Sequence, residues 1–591
     1  MIVNMKRIFR YVLILFIWAG LLQHLISSEA ATNQAIEKRK ESGREISNEI
    51  IYLHTDRENY IAGDNLFFKV YLYDEGQKKL SVRSKIAYIV ISNAKNNKII
   101  QASIVLSGGM SYGCLQLPDT LETGPCQIIA YTNWMKNFGE SAFFHKQLMI
   151  ANRFDVHLTT YSPDLKREDE SGKKPEEYNC IKISTDSGSY HQREKVTLML
   201  SLPANSPANV SISVAENPTE RFNNKTLAGT LSTVNGRNTH SGASNPAYRK
   251  MCEYLIEDKG SIITGSVHNT TSPSGIVVAL STPDSMPNLL YSITNAEGRF
   301  FFQLDDFYYN KDLYLSILDQ NKEPEATLSL NDKYATNRDQ TLSDTFLSDQ
   351  SKQFIKKSQT IANINKTYNI QSVLNEREPA SMIIRRNVYF KADHKVFLTE
   401  YVPLNNFTEI VREILPYIRL RKYDYGYEAE LVDPVNKIYL KNPAVFLNGM
   451  PVNNINHIIN FGSDKIKWIE TITHKRIYGS MGFNAILSVF TTADVENDKL
   501  ISPRSLHLFP ITFQHHTQYI IPEYSTDKQK ATRNPDFRQL LYWNPSLEIN
   551  GNVPVPVEFY TSDNKGNYMI NVEGIASDGT PISCTAYFEV R

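Results

Sequence analysis

Cysteine is scarce in this chain, with five in 591 residues, at positions 114, 126, 180, 252 and 584. The number is odd and the spacing has no metal-ligand pattern, so neither a disulfide framework nor a zinc site can be read from it. Strand alternation turns Cys114 away from the face of Leu115 and Leu117 and puts Cys126 in phase with Ile128 and Ala130, which argues for thiols rather than a Cys114–Cys126 bond. Long apolar runs are missing too. The run from Tyr11 to about Leu22 falls short of the roughly 18 residues that a spanning helix needs. Lys6, Arg7 and Arg10 precede it and Ser28-Glu29-Ala30 follow it, so residues 1–30 read as a secretory signal peptide. No cysteine follows that run before Cys114, which leaves lipid attachment without an acceptor and routes any membrane association through a partner. Charge of one sign is also lacking. Lysine plus arginine and aspartate plus glutamate both number 63, so no global field draws the chain to nucleic acid or to an anionic membrane.

Catalytic signatures are equally sparse. Phosphate-loop, HExxH and CxxC patterns do not occur. The expectation is a non-enzymatic chain with no catalytic residue, no cofactor and no metal site. His515-His516 is the compact histidine pair, but neighbours on a strand point to opposite faces, so a metal would need distant ligands. Arg412, Arg419, Arg421 and Lys422 beside Tyr423, Tyr425 and Tyr427 have the composition of a single-strand nucleic-acid site. Glu409, Glu413, Asp424, Glu428 and Glu430 interleave with them, which reads as a solvated helix-to-strand face. Asn209-Val210-Ser211 and Asn224-Lys225-Thr226 match the glycan acceptor pattern, a motif short enough to recur by chance.

What the chain does contain is many short β-branched and aromatic runs punctuated by Asn, Asp and Gly. They divide it into a β-sandwich at 48–152, a second at 153–257 with a long polar loop over 218–248, a small β unit at 258–330, a polar spacer at 331–398 with a helix near Asp344 to Ile361, a module at 399–497 and a C-terminal sandwich at 498–591. In the fifth module Phe407, Ile410, Val411, Ile414, Leu415 and Ile418 recur at helical spacing behind Asn405-Asn406 as candidate caps. Thr185 to Glu194 echoes Thr55 to Gly63, which predicts tandem related domains. Asn295 to Gly298 and Thr561 to Gly566 read as hairpin turns. A calcium loop at Asn295 to Gly298 would have too few oxygen ligands.

Three stretches carry resemblances. Tyr52 to Asp64 with Phe67-Phe68-Lys69, and later Leu117-Pro118-Asp119, Gly124 and Ala130 to Met135, resemble a macroglobulin-type sandwich of multi-domain Bacteroidetes envelope proteins. Ile276 to Leu280 and Tyr291 to Phe302 resemble the carboxypeptidase regulatory-like sandwich. Ala444 to Val452, Ile466 to Ile472 and Tyr478 to Thr492 resemble the plug domain of a TonB-dependent receptor, with Asn448 where Asp is common and His474-Lys475-Arg476 in place of a Gly. Only 98 residues follow Ala493, too few for the receptor's barrel. The resemblances imply a mainly β chain of tandem immunoglobulin-like or macroglobulin-type sandwiches plus a small α/β plug-like domain. They imply a location in the periplasm or at the periplasmic face of the outer membrane, with the cell surface as the other possibility, and an envelope protein as partner. A surface adhesin or macroglobulin-like defence factor is the alternative. Gly113-Cys114-Leu115-Gln116 lacks the Cys-x-Glu-Gln spacing of a macroglobulin thioester. Asp56 reads as a structural turn residue, since no second carboxylate stands at a spacing that would make an acid/base pair.

Overall fold

The computed structural model describes residues 48–155, 181–235, 254–335, 349–377 and 388–591, apart from 96, 203–205, 218–221, 223, 306–307, 319–324, 369–373, 390, 503, 511–512, 515 and 552. The expected signal peptide, Cys180, Cys252 and His515 fall outside the described residues. Strand outweighs helix, 47% to 12%, so the mainly β, tandem-sandwich expectation holds. The described chain forms two compact units. One holds residues up to 258 together with 333–380 and 513–591, and the other holds 259–332 and 381–512.

The first sandwich packs β1 (Glu49–Thr55), β3 (Asn65–Asp74), β4 (Lys79–Leu80) and β7 (Met110–Gln116) against a five-stranded sheet. That sheet runs β2 (Asn59–Ile61), β9 (Phe144–Ala151), β8 (Gly124–Tyr131), β5 (Ile86–Asn93), β6 (Lys98–Val105). Alternation along β3 sends Leu66, Phe68, Val70 and Leu72 into the core. Phe67, Lys69 and Tyr71 point the other way, yet they are also buried.

The next strands are β10 (Lys182–Thr185), β11 (Ser189–Tyr190), β12 (Lys195–Ser201) and β13 (Ala208–Glu216). Helix α1 (Leu227–Asn235) then lies inside the stretch that reads as a polar loop. Its Leu227 and Leu231, one turn apart, are buried, and the Thr226 side chain caps the amide of Gly229.

The second unit opens with a small sandwich. One sheet is β14 (Ile262–His268), β17 (Arg299–Gln303) and β19 (Thr327–Leu330), and the other runs β16 (Leu290–Ile293), β15 (Val277–Ser281), β18 (Leu313–Ile317). Helix α2 (Asp349–Thr367) and β20 (Leu374–Arg377) belong to the first unit, so 331–398 is no plain spacer.

An α/β layer follows. Its mixed sheet runs β21 (His394–Phe397), β27 (Ile466–Ile472), β30 (Ile486–Thr491), β25 (Ala444–Leu447), β26 (Met450–Val452), with β25 parallel to β30. Helix α3 (Phe407–Ile414) is capped by Asn406, as expected, and ends one turn earlier than the spacing predicts. Phe407, Ile410 and Val411 pack on Val445, Leu447, Ile469 and Val489. Beside them stands a three-stranded sheet of β22 (Ile418–Tyr423), β23 (Gly426–Asp433) and β24 (Ile438–Lys441). The opposite face of the mixed sheet buries Phe446, Ile472 and Ile486 against Ala279 and Leu289 of the small sandwich. A hairpin of β28 (Arg476–Tyr478) and β29 (Met481–Phe483) docks on Tyr291, whose hydroxyl accepts from the Ser480 amide. The unit is locked when β31 (Leu506–Leu508) adds an edge to β18.

The chain re-enters the first unit through β32 (His516–Tyr519), which pairs with β20. It ends in β33 (Leu540–Ile549), β34 (Val555–Tyr560), β35 (Gly566–Ala576) and β36 (Pro581–Val590). These four do not make a sandwich of their own. β34 pairs with β12, while β35 and β33 flank β13, giving sheets β10-β12-β34 and β11-β36-β35-β13-β33 around one core. The separate C-terminal sandwich expected over 498–591 is therefore the second half of the second one. Alternation marks which residues of a strand face a core but not which strand is its neighbour, and here the neighbours are more than three hundred residues apart.

The two sandwiches have one topology. β1-β3-β7 corresponds to β10-β12-β34, and β2-β9-β8-β5-β6 corresponds to β11-β36-β35-β13-β33, including the parallel pairs β2·β9 and β11·β36. The β5-to-β6 connection of the first is the short turn 94–97. The same connection in the second holds residues 217–539, the whole other unit among them.

Candidate functional site

The repeat is built on one polar device, used twice. Asp56 Oδ1 accepts from the Tyr60 hydroxyl at 2.8 Å and from the Phe67 amide at 2.8 Å. Asp186 Oδ1 accepts from the Tyr190 hydroxyl at 2.5 Å and from the Thr197 amide at 3.1 Å, at the same offsets of four and eleven residues. Each carboxylate ties a turn to the strand that follows it. Burial pushes Asp56 up to about 6, against the opposing pull of Arg57 and of its own hydrogen bonds.

Seven residues on from each aspartate the backbone is left-handed, at Gly63 (φ 96°) and at Arg193 (φ 54°). A Cβ at Gly63 would stand 3.3 Å from the Cβ of Asp119. In the second repeat the matching acid is Asp563, three residues beyond β34 as Asp119 is beyond β7. Arg193 forks onto it through Nε at 2.7 Å and Nη2 at 2.6 Å, and also donates to the carbonyls of Lys530, Thr532 and Asn534. Thr561 to Gly566 is thus a crossover between sheets rather than a hairpin, since β34 and β35 lie in different sheets. Asn295 to Gly298 is a tight turn in which the Asn295 carboxamide oxygen accepts from the amides of Glu297 and Arg299, but it too joins strands of different sheets, β16 and β17, and so is not the hairpin expected.

A buried polar seam joins the two sandwiches. His54 Nδ1 lies 2.6 Å from Ser211 Oγ, and Asn571 Nδ2 donates to its Nε2 at 3.1 Å. The Tyr71 hydroxyl donates to the Glu573 carbonyl at 2.8 Å, and Lys69 Nζ reaches Asn209 Oδ1. Burial, reinforced by the charges of Lys146 and Lys69, holds His54 well below its ordinary value. Burial alone lowers Lys69 to about 7, and burial raises Glu573 to about 7. Cys114 does turn away from its own core, as alternation predicts, but Phe67, Ala215, Leu540 and Trp543 cover it. Cys126 sits in the first core, and the two are not joined.

Other residues singled out by the sequence are used structurally. Asn209 is engaged in the seam and also donates to Ser546. Asn224 pairs its carboxamide with both backbone groups of Gln147, closing off an edge of β9. Of the histidine pair, His516 contributes its backbone to β32. Asn448 and Gly449 form the tight β25–β26 turn, and Asn448 bonds to Thr491 and Asn497.

The basic and aromatic residues from Arg419 to Tyr427 do gather on one exposed sheet, whereas Arg412 lies on α3 and pairs with Glu413. Arg421 pairs with Glu430 at 2.8 Å, Arg419 stands over the Tyr439 ring, and Tyr423 stacks on Tyr425. Tyr425, Tyr439 and Ile438 are at least half exposed, at 70%, 51% and 50%. Paired charges thus interleave with open aromatic rings on this sheet. Ile438 and Tyr439 are absent from the patch as read in sequence, because β24 joins it only through the sheet.

Among the described residues no three His, Cys, Asp or Glu side chains gather to hold a metal. A cavity of about 30 Å³, room for little more than water, lies beside Asp56, Glu58, Lys146 and Glu216. No described helix is long and apolar enough to cross a membrane.

Fold and surface together define a modular, mainly β protein in which one sandwich carries a second folded unit as an insertion. No family model and no curated protein matches the chain. Solved structures that align with it include Salmonella alpha-2-macroglobulin reacted with methylamine, at 8% identity over 92% of this chain and 40% of that one, with a TM-score of 0.23. Trypsin-activated alpha-2-macroglobulin from Escherichia coli aligns at 7% identity over 92% and 41%, with a TM-score of 0.22. The Escherichia coli adhesin FdeC aligns at 12% identity over 29% and 48%, with a TM-score of 0.14. The chain spans about two fifths of the length of these macroglobulins. At such scores the architecture rests on its own topology.

Proposed function

We propose that the chain is a non-enzymatic scaffold of a bacterial envelope, in which tandem sandwiches carry an inserted binding unit to a protein partner. The observation that carries this reading is the insertion of a complete folded unit between two adjacent strands of one sandwich. Such an arrangement ties the unit to the scaffold by the chain, which passes between them at 258–259, 332–333, 380–381 and 512–513. The signal-like N-terminus supports export to the periplasm or the periplasmic face of the outer membrane. The resemblance of 399–497 to a receptor plug supports a partner among outer-membrane transport or assembly components. An adhesin or macroglobulin-like defence factor is the second reading, favoured by the sandwich repeat alone.

The test is cross-linking capture from cells of the native source, comparing the wild-type chain with a Tyr425→Glu/Tyr439→Glu variant. Both side chains lie on open sheet surface, so folding is expected to survive. The reading predicts an envelope protein captured by the wild type and reduced at least tenfold with the variant. Equal capture by both refutes the role given to this sheet.

A further inference from the structure

Helix α2 is an unusual element of the first unit. It is 19 residues long, yet its buried side chains are Ile355, Ser358, Gln359 and Ile361, only two of them apolar. It lies across both sandwiches. On the first, Ile355 packs on Ile61, Met149 and Ala151, and Gln359 Nε2 donates to the carbonyls of Asn152 at 2.6 Å and Asp155 at 3.1 Å. On the second, Lys357 Nζ donates to Glu216 Oε1 at 2.5 Å and to the Lys565 carbonyl at 2.9 Å, while Ser358 Oγ accepts from Gln539 at 2.8 Å.

The seat beneath the helix is imperfectly filled. Phe354 lines the 30 Å³ cavity that also touches Asp56, Glu58 and Glu216, and a second void of about 10 Å³ lies between Ile355 and Met149. Such gaps are few in a close-packed interior, and the atoms that line one forfeit dispersion contacts. The flanks are held separately. Tyr334, upstream, meets Ser103 at 3.0 Å and packs on Tyr88, and β20, downstream, pairs with β32. Lifting α2 therefore need not disturb its neighbours in sequence.

We propose that α2 is a releasable strap over the groove between the two sandwiches, latched by Lys357 on Glu216. Glu216 is the fixed half of the latch. Its side chain is 6% exposed and takes donors from Gln539 and Asn564 as well as from Lys357. Lys357 is 39% exposed and is the half that lets go. Removing the cation leaves a buried carboxylate short of its counter-charge, a state that favours water entering the groove. Release bares the polar cavity and the strip of Ile61, Met149 and Ala151. Once lifted, a helix of this length and polarity has little intrinsic stability in water, so opening and unwinding occur together.

Hydrogen exchange of the full chain, followed by mass spectrometry, tests the strap. The proposal predicts that amides of 349–367 exchange at least tenfold faster than those of β13 and β35, because they open without global unfolding. Lys357→Met should raise exchange in α2 about tenfold more and leave β13 and β35 unchanged. In a Glu216→Gln background the same substitution should change α2 exchange less than threefold. Exchange of α2 in step with β13 and β35 overturns the proposal, as does an equally large Lys357→Met effect in the Glu216→Gln background.

Discussion

Arg193 shows how a single side chain can be both a strain and its compensation. Its φ of 54° is one that a non-glycine residue adopts at a cost of about 1 kcal/mol. The first repeat uses Gly63 at the same place. The arginine repays the conformation by gathering Asp563 and three carbonyls of 530–534. Arg193→Ala keeps the strain and loses the fork, with an expected destabilisation of about 3 kcal/mol. Arg193→Gly loses the fork but relieves the backbone, so it should be milder by about 1 kcal/mol in urea unfolding. Equal losses would remove strain from the account. The echo of Thr55 to Gly63 in Thr185 to Glu194 was legible because hydrogen-bonding residues recur at fixed offsets. Asp563 as the partner was not, because it lies 370 residues away along the chain.

Helix α1 depends on a buried carboxylate that it does not itself contain. Glu573 Oε2 accepts from the Leu227 amide at 3.2 Å and from Ser583 Oγ at 2.5 Å, and Oε1 accepts from the Tyr52 hydroxyl at 3.2 Å. Burial raises this carboxyl from 4.5 to about 7, although each of those hydrogen bonds favours its charged form. Between those pH values the folded chain holds a proton that the unfolded chain has lost, so this group's contribution to stability falls as pH rises through the window. Glu573→Gln removes that dependence. Relative to wild type, its unfolding free energy should rise by on the order of 2 kcal/mol between pH 5 and pH 8. His54, Lys69 and Asp56 titrate in both proteins and drop out of the difference. A constant difference across that range would contradict the assignment. Helix α3 was legible in its apolar spacing and Asn406 cap, whereas α1 was hidden by its Gly, Ser and Thr content, and its burial comes from strands at the far end of the chain.

At the scale of the whole molecule, strands were easier to read than partners. The individual runs after Leu540 are evident as strands in the sequence, but their place is decided by β12 and β13, which precede the insertion. The surface of the inserted unit was partly legible for the same reason: Arg419 to Tyr427 are contiguous, while Tyr439 reaches them only across β23. Closing one sandwich from segments so far apart in sequence carries a large loop-closure cost, which favours folding of the inserted unit before the sandwich is sealed. The most direct measurement of this architecture is a cysteine pair placed on facing strands. Thr197 and Glu558 are register partners in β12 and β34, both on the outer face. Under mild oxidation a Thr197→Cys/Glu558→Cys chain should yield a peptide disulfide joining these two positions, read by mass spectrometry without reduction. A folded chain in which the two thiols remain unlinked would contradict the single, insertion-split sandwich.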